Sequence, residues 1–459
     1  WVGSDDGLIH VTQNGGKSWE NVTPKGMPEW MMINSIEPSA FDAGTCYVAG
    51  TKYKTGDFTP YLYKTTDYGK SWTKITNGIN QEHFTRVVRE DPKQKGLLYA
   101  GTETGMYISF NDGKNWKPFQ LNLPIVPITD LTIKDNSLIV ATQGRSLWMI
   151  DDLTVIHQLL NKNSKSDILF KPRDTYRMRG SGTKGSKTSG TNLHSGVYTY
   201  FNLKDYDKKK DTIALTYFDV KGDTIKSVST ANKKENTLVA KKGGNQYIWS
   251  MTYKGAERLK GMILWWASLS GPKAIPGTYK VTLNVNGEDM SQPFTILADP
   301  RAESTQADME TQFAFIKDVN KTMDSAHKSI KKIRNINKQL SAFQKQYKDN
   351  ESVKDLVEKA KDLKKQFTKI EEALYQTKNR SGQDPLNFPI RLTNKLGHLN
   401  SLVSMGDFAP TEQDIAVKDE LTAKINEQLS QFNALIADKI NDFNMDFNAM
   451  NLKYLFVEN

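Results

Sequence analysis

Cysteine is nearly absent: Cys46 is the one thiol in 459 residues. No intrachain disulfide can form and no cysteine cluster can hold a metal. That excludes the disulfide-stapled ectodomains of eukaryotic secreted proteins and leaves bacterial secreted or periplasmic proteins open. Histidine is scarce as well. The six (His10, His83, His157, His194, His327 and His398) show no HExxH pair and no other shared metal spacing. A GxSxG elbow, a P-loop and a dinucleotide fingerprint are all absent, so neither metal nor cofactor is expected. Long apolar runs are missing too. With 37% hydrophobic residues and a mean hydropathy of −0.59, no stretch of about 18 apolar residues could cross a membrane. Any targeting signal is expected before Trp1, so the compartment must be inferred from architecture.

Acidic charge is the scarcer sign, and the imbalance is local. The net charge is +10, and residues 161–260 hold 21 Lys plus Arg against 9 Asp plus Glu. This excess could favour an anionic partner such as lipopolysaccharide or an acidic glycan. No nucleic-acid module accompanies it, so a solvated lysine-rich surface is the reading, with no nucleic-acid partner.

What the chain has in plenty is repetition. TQNGGKSW, TTDYGKSW and SFNDGKNW share one pattern, Ser/Thr-x-Asp/Asn-x-Gly-x-x-Trp. It places Thr12, Asn14, Gly16 and Trp19 in the first copy, Thr65, Asp67, Gly69 and Trp72 in the second, and Ser109, Asn111, Gly113 and Trp116 in the third. This is the Asp-box of β-propeller blades. The hydroxyl and the carboxyl or amide fold back onto backbone N–H groups and close a tight turn. The glycine supplies a left-handed conformation, and the tryptophan is expected to pack between blades. Tryptophan spacings of 53 and 44 residues suit one four-stranded blade each. A last unit, DLTIKDNSLIVATQGRSLWMIDD, adds strands without a box. About three blades result, and a propeller needs at least four to close. The expectation is therefore a partial propeller over 1–152, completed by N-terminal blades of the same protein or of another chain.

Past a linker at Asp151–Ser166, strand candidates recur at 168–171, 197–203, 212–220, 247–253, 262–267, 278–285 and 294–297. They suggest a β-sandwich of immunoglobulin or fibronectin-III type over 166–298. Between Met178 and His194 runs a polar, glycine-rich segment expected to be mobile. From Thr305 the period becomes helical: Met309, Phe313, Ile316, Asn320, Met323, His327 and Ile330 form a seam. Thr305 with Asp308 resembles a capping box. Four amphipathic helices over 301–450 suggest an antiparallel bundle or a long hairpin with shorter helices alongside. His327 on the seam reads as a buried, hydrogen-bonded histidine. The fold class is thus multidomain, mainly β and then α.

Catalytic chemistry has one opening, paired carboxylates. Loops between second and third strands emerge opposite the box turns, on the face where propellers hold ligands. They contribute Asp5, Asp6 and Glu103 as acid/base candidates, and Lys52, Asp57, Gln143 and Arg145 as binding candidates.

The runs DDGLIHVTQNGGKSWENVTP, YLYKTTDYGKSWTKITNG and ATQGRSLWMIDD resemble bacterial BNR-repeat proteins with sortilin-like (VPS10) propellers. So do the later IPGTYKVTLNVNG, QPFTILADPR and YQTKNRSGQDPLNFPIRLTNKL. Such proteins are often labelled glycosyl hydrolases. The resemblance implies an extracellular, cell-surface or periplasmic bacterial protein. The arginine triad and Tyr/Glu pair of sialidases cannot be assembled here; the catalytic aspartates of xyloglucanase-type double propellers are left unassigned, and one could lie in the expected N-terminal blades. The functional expectation is a non-catalytic binding or scaffolding protein of the bacterial envelope, recognising an envelope protein, peptide or glycan through the propeller face. The alternative is a secreted glycoside hydrolase acting on a polysaccharide.

Overall fold

The computed structural model describes residues 1–160, 166–178, 190, 192–450 and 452. The chain divides into two compact units, Trp1–Ser166 and Asp167–Asn459.

Unit 1 is a propeller-like succession of antiparallel sheets, each a meander whose neighbours in sequence are neighbours in space. The first holds β1 (Val2–Gly3), β2 (Ile9–Val11) and β3 (Glu20–Asn21). The second holds β4 (Met32–Pro38), β5 (Cys46–Lys52), β6 (Asp57–Thr65) and β7 (Thr73–Lys74). The third holds β8 (Thr85–Glu90), β9 (Leu98–Thr102), β10 (Gly105–Ser109) and β11 (Lys117–Pro118). The fourth holds β12 (Ile128–Lys134), β13 (Ser137–Thr142) and β14 (Leu147–Ile150). Four sheets replace the expected three, because strands of two residues such as Val2–Gly3 leave no alternating pattern to read. Strand alternation sends successive side chains to opposite faces, and the cores obey it. Val88, Leu98 and Tyr107 pack with Tyr47 and Leu62 of the second sheet. Val87, Tyr99 and Ile108 pack with Ile128 and Val140 of the fourth. After the last strand, α1 (Thr154–Leu159) occupies part of the expected linker, with His157 Nε2 2.7 Å from Asp91 Oδ2.

The repeat turns share one hydrogen-bond scheme. The hydroxyls of Thr12, Thr65 and Ser109 each accept from the N–H of the glycine four residues on, at 2.9 Å. The side-chain oxygens of Asn14, Asp67 and Asn111 accept from the N–H groups of Ser18, Ser71 and Asn115, at 3.0, 2.9 and 2.9 Å. Gly16, Gly69 and Gly113 have φ of 89°, 83° and 78°, which a side chain resists. The tryptophans divide. Trp72 and Trp116 donate through Nε1 to the carbonyls of Val22 and Ile75 in the preceding repeat, at 2.7 and 2.6 Å. Trp72 and Trp116 thus take the expected packing role, and Trp19, in the first of the three copies, is 46% exposed.

Unit 2 begins with two sheets around one apolar core. β15 (Ile168–Leu169), β17 (Val197–Leu203) and β20 (Gly243–Trp249) form one, in that order. The other runs β16 (Thr175–Tyr176), β22 (Glu288–Leu297), β21 (Gly277–Val285), β18 (Ile213–Phe218) and β19 (Thr224–Ser229). Phe201 and Trp249 of the first meet Leu215, Tyr217, Val281 and Phe294 of the second. Two expectations need correction. Residues 262–267 form no strand, and β19 and β16 were not foreseen. Of the glycine-rich segment expected to be mobile, residues 179–189 and 191 lie outside the described residues.

The helices follow: α2 (Gln306–Tyr347), α3 (Lys354–Leu374), α4 (Leu392–Val403), α5 (Glu412–Ala434) and, beyond a π-helical turn at Leu435–Ile440, α6 (Asn441–Ala449). Thr305 and Thr411 each cap a helix reciprocally with Asp308 and Asp414. Ile330, Ile333 and Leu340 share one core with Leu363, Phe367 and Ile370, and Arg334 and Asn337 bond Glu371 and Thr368, so the later part of the α2 seam buries against α3. Arg177, 2% exposed, reaches from the sheets to the helices. It pairs with Asp407 and donates through Nη2 to Gln312 Oε1 at 3.3 Å.

Candidate functional site

The sequence candidates lie on the β1–β2, β5–β6, β9–β10 and β13–β14 connections, at the end of unit 1 away from the repeat turns. Aromatic side chains that sequence reasoning did not single out join several of them. A 3₁₀ turn at Tyr53–Thr55 lays the Tyr53 ring flat on Phe84, with centroids 4.9 Å apart and planes at 12°. Phe58 tilts onto the same Phe84 ring at 6.0 Å. The Arg86 guanidinium lies 5.5 Å from the Tyr53 centroid and 5.2 Å from that of Phe84, within cation–π range. Its Nε and Nη2 both reach Glu103 Oε2 at 2.6 Å. Glu103, an acid/base candidate from the sequence, is therefore held by Arg86.

Asp5 joins the other end of this chain of contacts. It lines a cavity of about 100 Å³ together with Trp30, Lys52 and Tyr53. Trp30 is 72% exposed and has φ of 58°, a conformation a bulky residue adopts only where its surroundings impose it. Asp5, Lys52 and Glu103 are thus gathered along one line through Tyr53, Phe84 and Arg86. Asp6 accepts a hydrogen bond from the Ser4 hydroxyl. Asp57 accepts from Tyr61 Oη at 2.7 Å and from the Thr59 N–H at 3.0 Å. Burial pushes its carboxyl up, but these bonds outweigh burial and hold it below the usual value. Gln143 and Arg145 are exposed on the β13–β14 loop. Arg145 Nη1 bonds the Gly144 carbonyl at 3.2 Å, and no described contact joins the pair to the Asp5–Glu103 line.

A second polar set runs along the first strands of three sheets. Arg89 on β8 bonds Ser35 at 2.7 Å, Asp130 at 2.7 Å and the Leu131 carbonyl at 2.8 Å, and lies 3.5 Å from Glu37. Burial pushes the Glu37 carboxyl up, and Arg89 opposes the shift. Three sheets converge on one guanidinium, which serves to hold those strands together. Cys46 is fully buried and its thiol is pushed up to about 12, chiefly by burial, so it is no nucleophile.

His327 is buried on α2 with Nδ1 2.6 Å from the Glu257 carbonyl. Among the described residues, no group of three or more His, Cys, Asp or Glu is placed to hold a metal ion, and no helix is long and apolar enough to cross a membrane.

No protein-family model matches the chain. A curated oligoxyloglucan-reducing end-specific xyloglucanase from Emericella nidulans is 29% identical over 108 residues, which is 22% of this chain and 13% of that protein. Among solved structures, YCF48 bound to D1 peptide aligns at 21% identity and a TM-score of 0.27, covering 33% of this chain and 47% of that one. The GH74 xyloglucanase from Xanthomonas campestris aligns at 12% and 0.25, covering 63% and 42%. The GH74 enzyme from Niastella koreensis aligns at 12% and 0.25, covering 64% and 51%. The chain spans less than two thirds of each. The sequence match corrects the expectation of a non-catalytic binding or scaffolding protein: the curated protein matched in sequence is named a xyloglucanase.

Proposed function

We propose that this chain is part of a secreted glycoside hydrolase that cleaves a xyloglucan-like polysaccharide on the loop face of unit 1. The observation that carries the reading is the line of contacts from Asp5 past Trp30 and Tyr53 to Arg86 and Glu103. Glycoside hydrolysis needs two carboxyl groups flanking the scissile bond, one to protonate the leaving oxygen and one to act as base or nucleophile. Aromatic faces beside them stack on the apolar C–H faces of sugar rings. Asp5 and Glu103 supply the carboxyls, Arg86 fixes Glu103, and Trp30, Tyr53 and Phe58 supply the faces. Lys52, Asp57, Gln143 and Arg145 are hydrogen-bonding groups for flanking sugars, with Asp6 as the alternative acid. The sequence match to a xyloglucanase supports the substrate class.

The same reading takes the repeat turns as Asp-boxes of a BNR, sortilin-like propeller. It takes the two sheets of unit 2 as an immunoglobulin or fibronectin-III-like sandwich, and the domains as 1–152, 166–298 and 301–450. The compartment is extracellular or at the bacterial envelope, and the facing wall of the substrate cleft belongs to further blades.

A polysaccharide-hydrolysis screen that includes xyloglucan, with Asp5→Ala, Asp6→Ala and Glu103→Gln in parallel, tests the proposal. Loss of turnover by about 10²–10⁴-fold is expected for an acid or base. Hydrolysis undiminished in all three variants, or no hydrolysis of any polysaccharide, overturns it.

A further inference from the structure

The segment at Ile263–Ser270 has no regular secondary structure, yet it is held more firmly than many strands. Asn394 brackets Trp265, accepting its N–H at 2.8 Å and donating to its carbonyl at 3.0 Å. Asn400 donates to the carbonyls of Ser268 and Ser270 at 3.2 and 3.1 Å, and Asn320 donates to Ser270 at 2.8 Å. The Ser268 N–H donates to the Gly397 carbonyl at 2.8 Å, and the Ile263 N–H to Tyr375 Oη at 2.9 Å. Gly397 permits this approach, since a side chain there would meet Ala267 Cβ at 3.1 Å. Asn394, Asn400 and Asn320 are all buried, so three buried amides are committed to one loop.

What the loop presents is Trp266. Its ring is 75% exposed and its φ is 47°. Left-handed backbone at a bulky residue persists only where the surroundings over-determine it, commonly at ligand clamps. Trp265 lies beside it with ring planes at 27° and centroids 6.2 Å apart. The His398 ring stands edge-on to Trp266 at 6.3 Å and 74°. The result is a stacked indole pair on a fixed loop, with an imidazole standing edge-on to the exposed ring. Trp30 on the loop face of unit 1 shows the same two properties, high exposure and positive φ.

We propose that Trp265 and Trp266 form a second carbohydrate-binding site, on unit 2, taking a neutral pyranose chain. A pyranose offers an apolar C–H face to the indoles and hydroxyls at its edge to His398. The proposal rests on the reading of the chain as acting on a polysaccharide, and it adds a place that grips the polymer away from the cutting face.

Affinity electrophoresis of the full chain in gels containing soluble xyloglucan tests it, with Trp266→Ala, Trp266→Phe and Trp30→Ala compared and hydrolysis assayed separately. Trp266→Ala is expected to weaken retention by about tenfold, as loss of a central aromatic anchor does. Trp266→Phe should retain part of it, and the thermal midpoint and hydrolysis of short soluble oligosaccharides should stay unchanged. Equal retention of wild type and Trp266→Ala overturns the site and leaves the hydrolase reading standing. Trp266-dependent retention without any hydrolysis sinks that reading and leaves the site. No retention of the wild type, or a Trp266-dependent pull-down of protein in place of glycan, overturns the carbohydrate assignment.

Discussion

Asp67 differs from its two counterparts by a charge. Asn14 and Asn111 make the same backbone contact with a neutral amide, whereas the Asp67 carboxyl is held down to about 2, first by the Ser71 hydroxyl and then by the Ser71 N–H. A carboxyl whose folded value lies below its unfolded value of 3.8 stabilises the fold fully above that value, and the contribution is lost as pH falls through about 2. Asp67→Asn should therefore keep the turn and flatten the acid limb of the stability–pH curve of unit 1 between about pH 4 and pH 2. A limb of unchanged steepness would show that the carboxyl is not what the turn titrates. A tryptophan joins one repeat to the one before it. Trp116 is 3% exposed and bonded to Ile75, so Trp116→Ala should cost about 3–5 kcal/mol in denaturant unfolding. The repeated turn residues were legible because their bonds span at most four residues. The bonds of Trp72 and Trp116 were not, because they depend on what the preceding repeat places beside each ring. The Arg86–Glu103 pair was not legible for a related reason: Arg86 lies on β8 and Glu103 just past the neighbouring β9, and no local pattern marks them.

The helical elements were legible from period alone. Met309, Ile316, Met323 and Ile330 recur at helical steps and are buried, and the capping threonines mark where helices start. The apolar run Met262–Ala267 looked like a strand because a short apolar run does not reveal its backbone. Its conformation is set by Asn394 and Asn400, 129 residues and more away in sequence. Asn400→Ala should strip the partner from the Ser268 carbonyl, while Ser270 keeps Asn320, and cost about 1–3 kcal/mol for the group left buried. Near-ultraviolet circular dichroism should report the loosened Trp265–Trp266 pair, and an unchanged spectrum would show that the loop holds without that amide. On α2, burial pushes His327 below 6.5, against the Glu257 carbonyl that favours the charged form. The folded state thus favours the neutral ring, while the unfolded chain takes up a proton below 6.5. Stability of unit 2 should fall as pH drops through 6.5 and keep falling until the folded value is reached. His327→Gln should lessen that slope in urea titrations at successive pH values, and a slope identical to wild type would place the titration elsewhere.

At the scale of the whole chain, module types legible in the sequence misdirected the functional reading. Sheets and helical bundles without a catalytic motif suggested a scaffold, but glycoside hydrolysis asks only for two carboxyls at a suitable separation, and folds do not declare such a pair. Trp30, Tyr53, Phe58 and Arg86 went unremarked although they occupy or adjoin the loops that supplied Asp5 and Glu103; aromatic residues clustered in those loops were the signal to use. Long-range organisation inside unit 2 was equally invisible. Arg177 follows a two-residue strand in a stretch with no pattern, yet its buried guanidinium pairs with Asp407, reaches Gln312 on α2 and donates to the Ala274 carbonyl at 3.0 Å. One side chain thus links the sheets to the helices, and removing one partner of a buried pair costs more than the pair itself contributes. Arg177→Met should lower the stability of unit 2 by about 3 kcal/mol, the low end for a broken buried pair, because Asp407 keeps partial access to solvent at 22% side-chain exposure. Arg177→Met with Asp407→Leu should recover part of the loss, since both charges are then gone. Denaturant unfolding followed by the far-ultraviolet ellipticity of the helices measures both variants. Equal losses in the single and double variants would show that the carbonyl and amide contacts of Arg177, and not its ion pair, hold sheets and helices together.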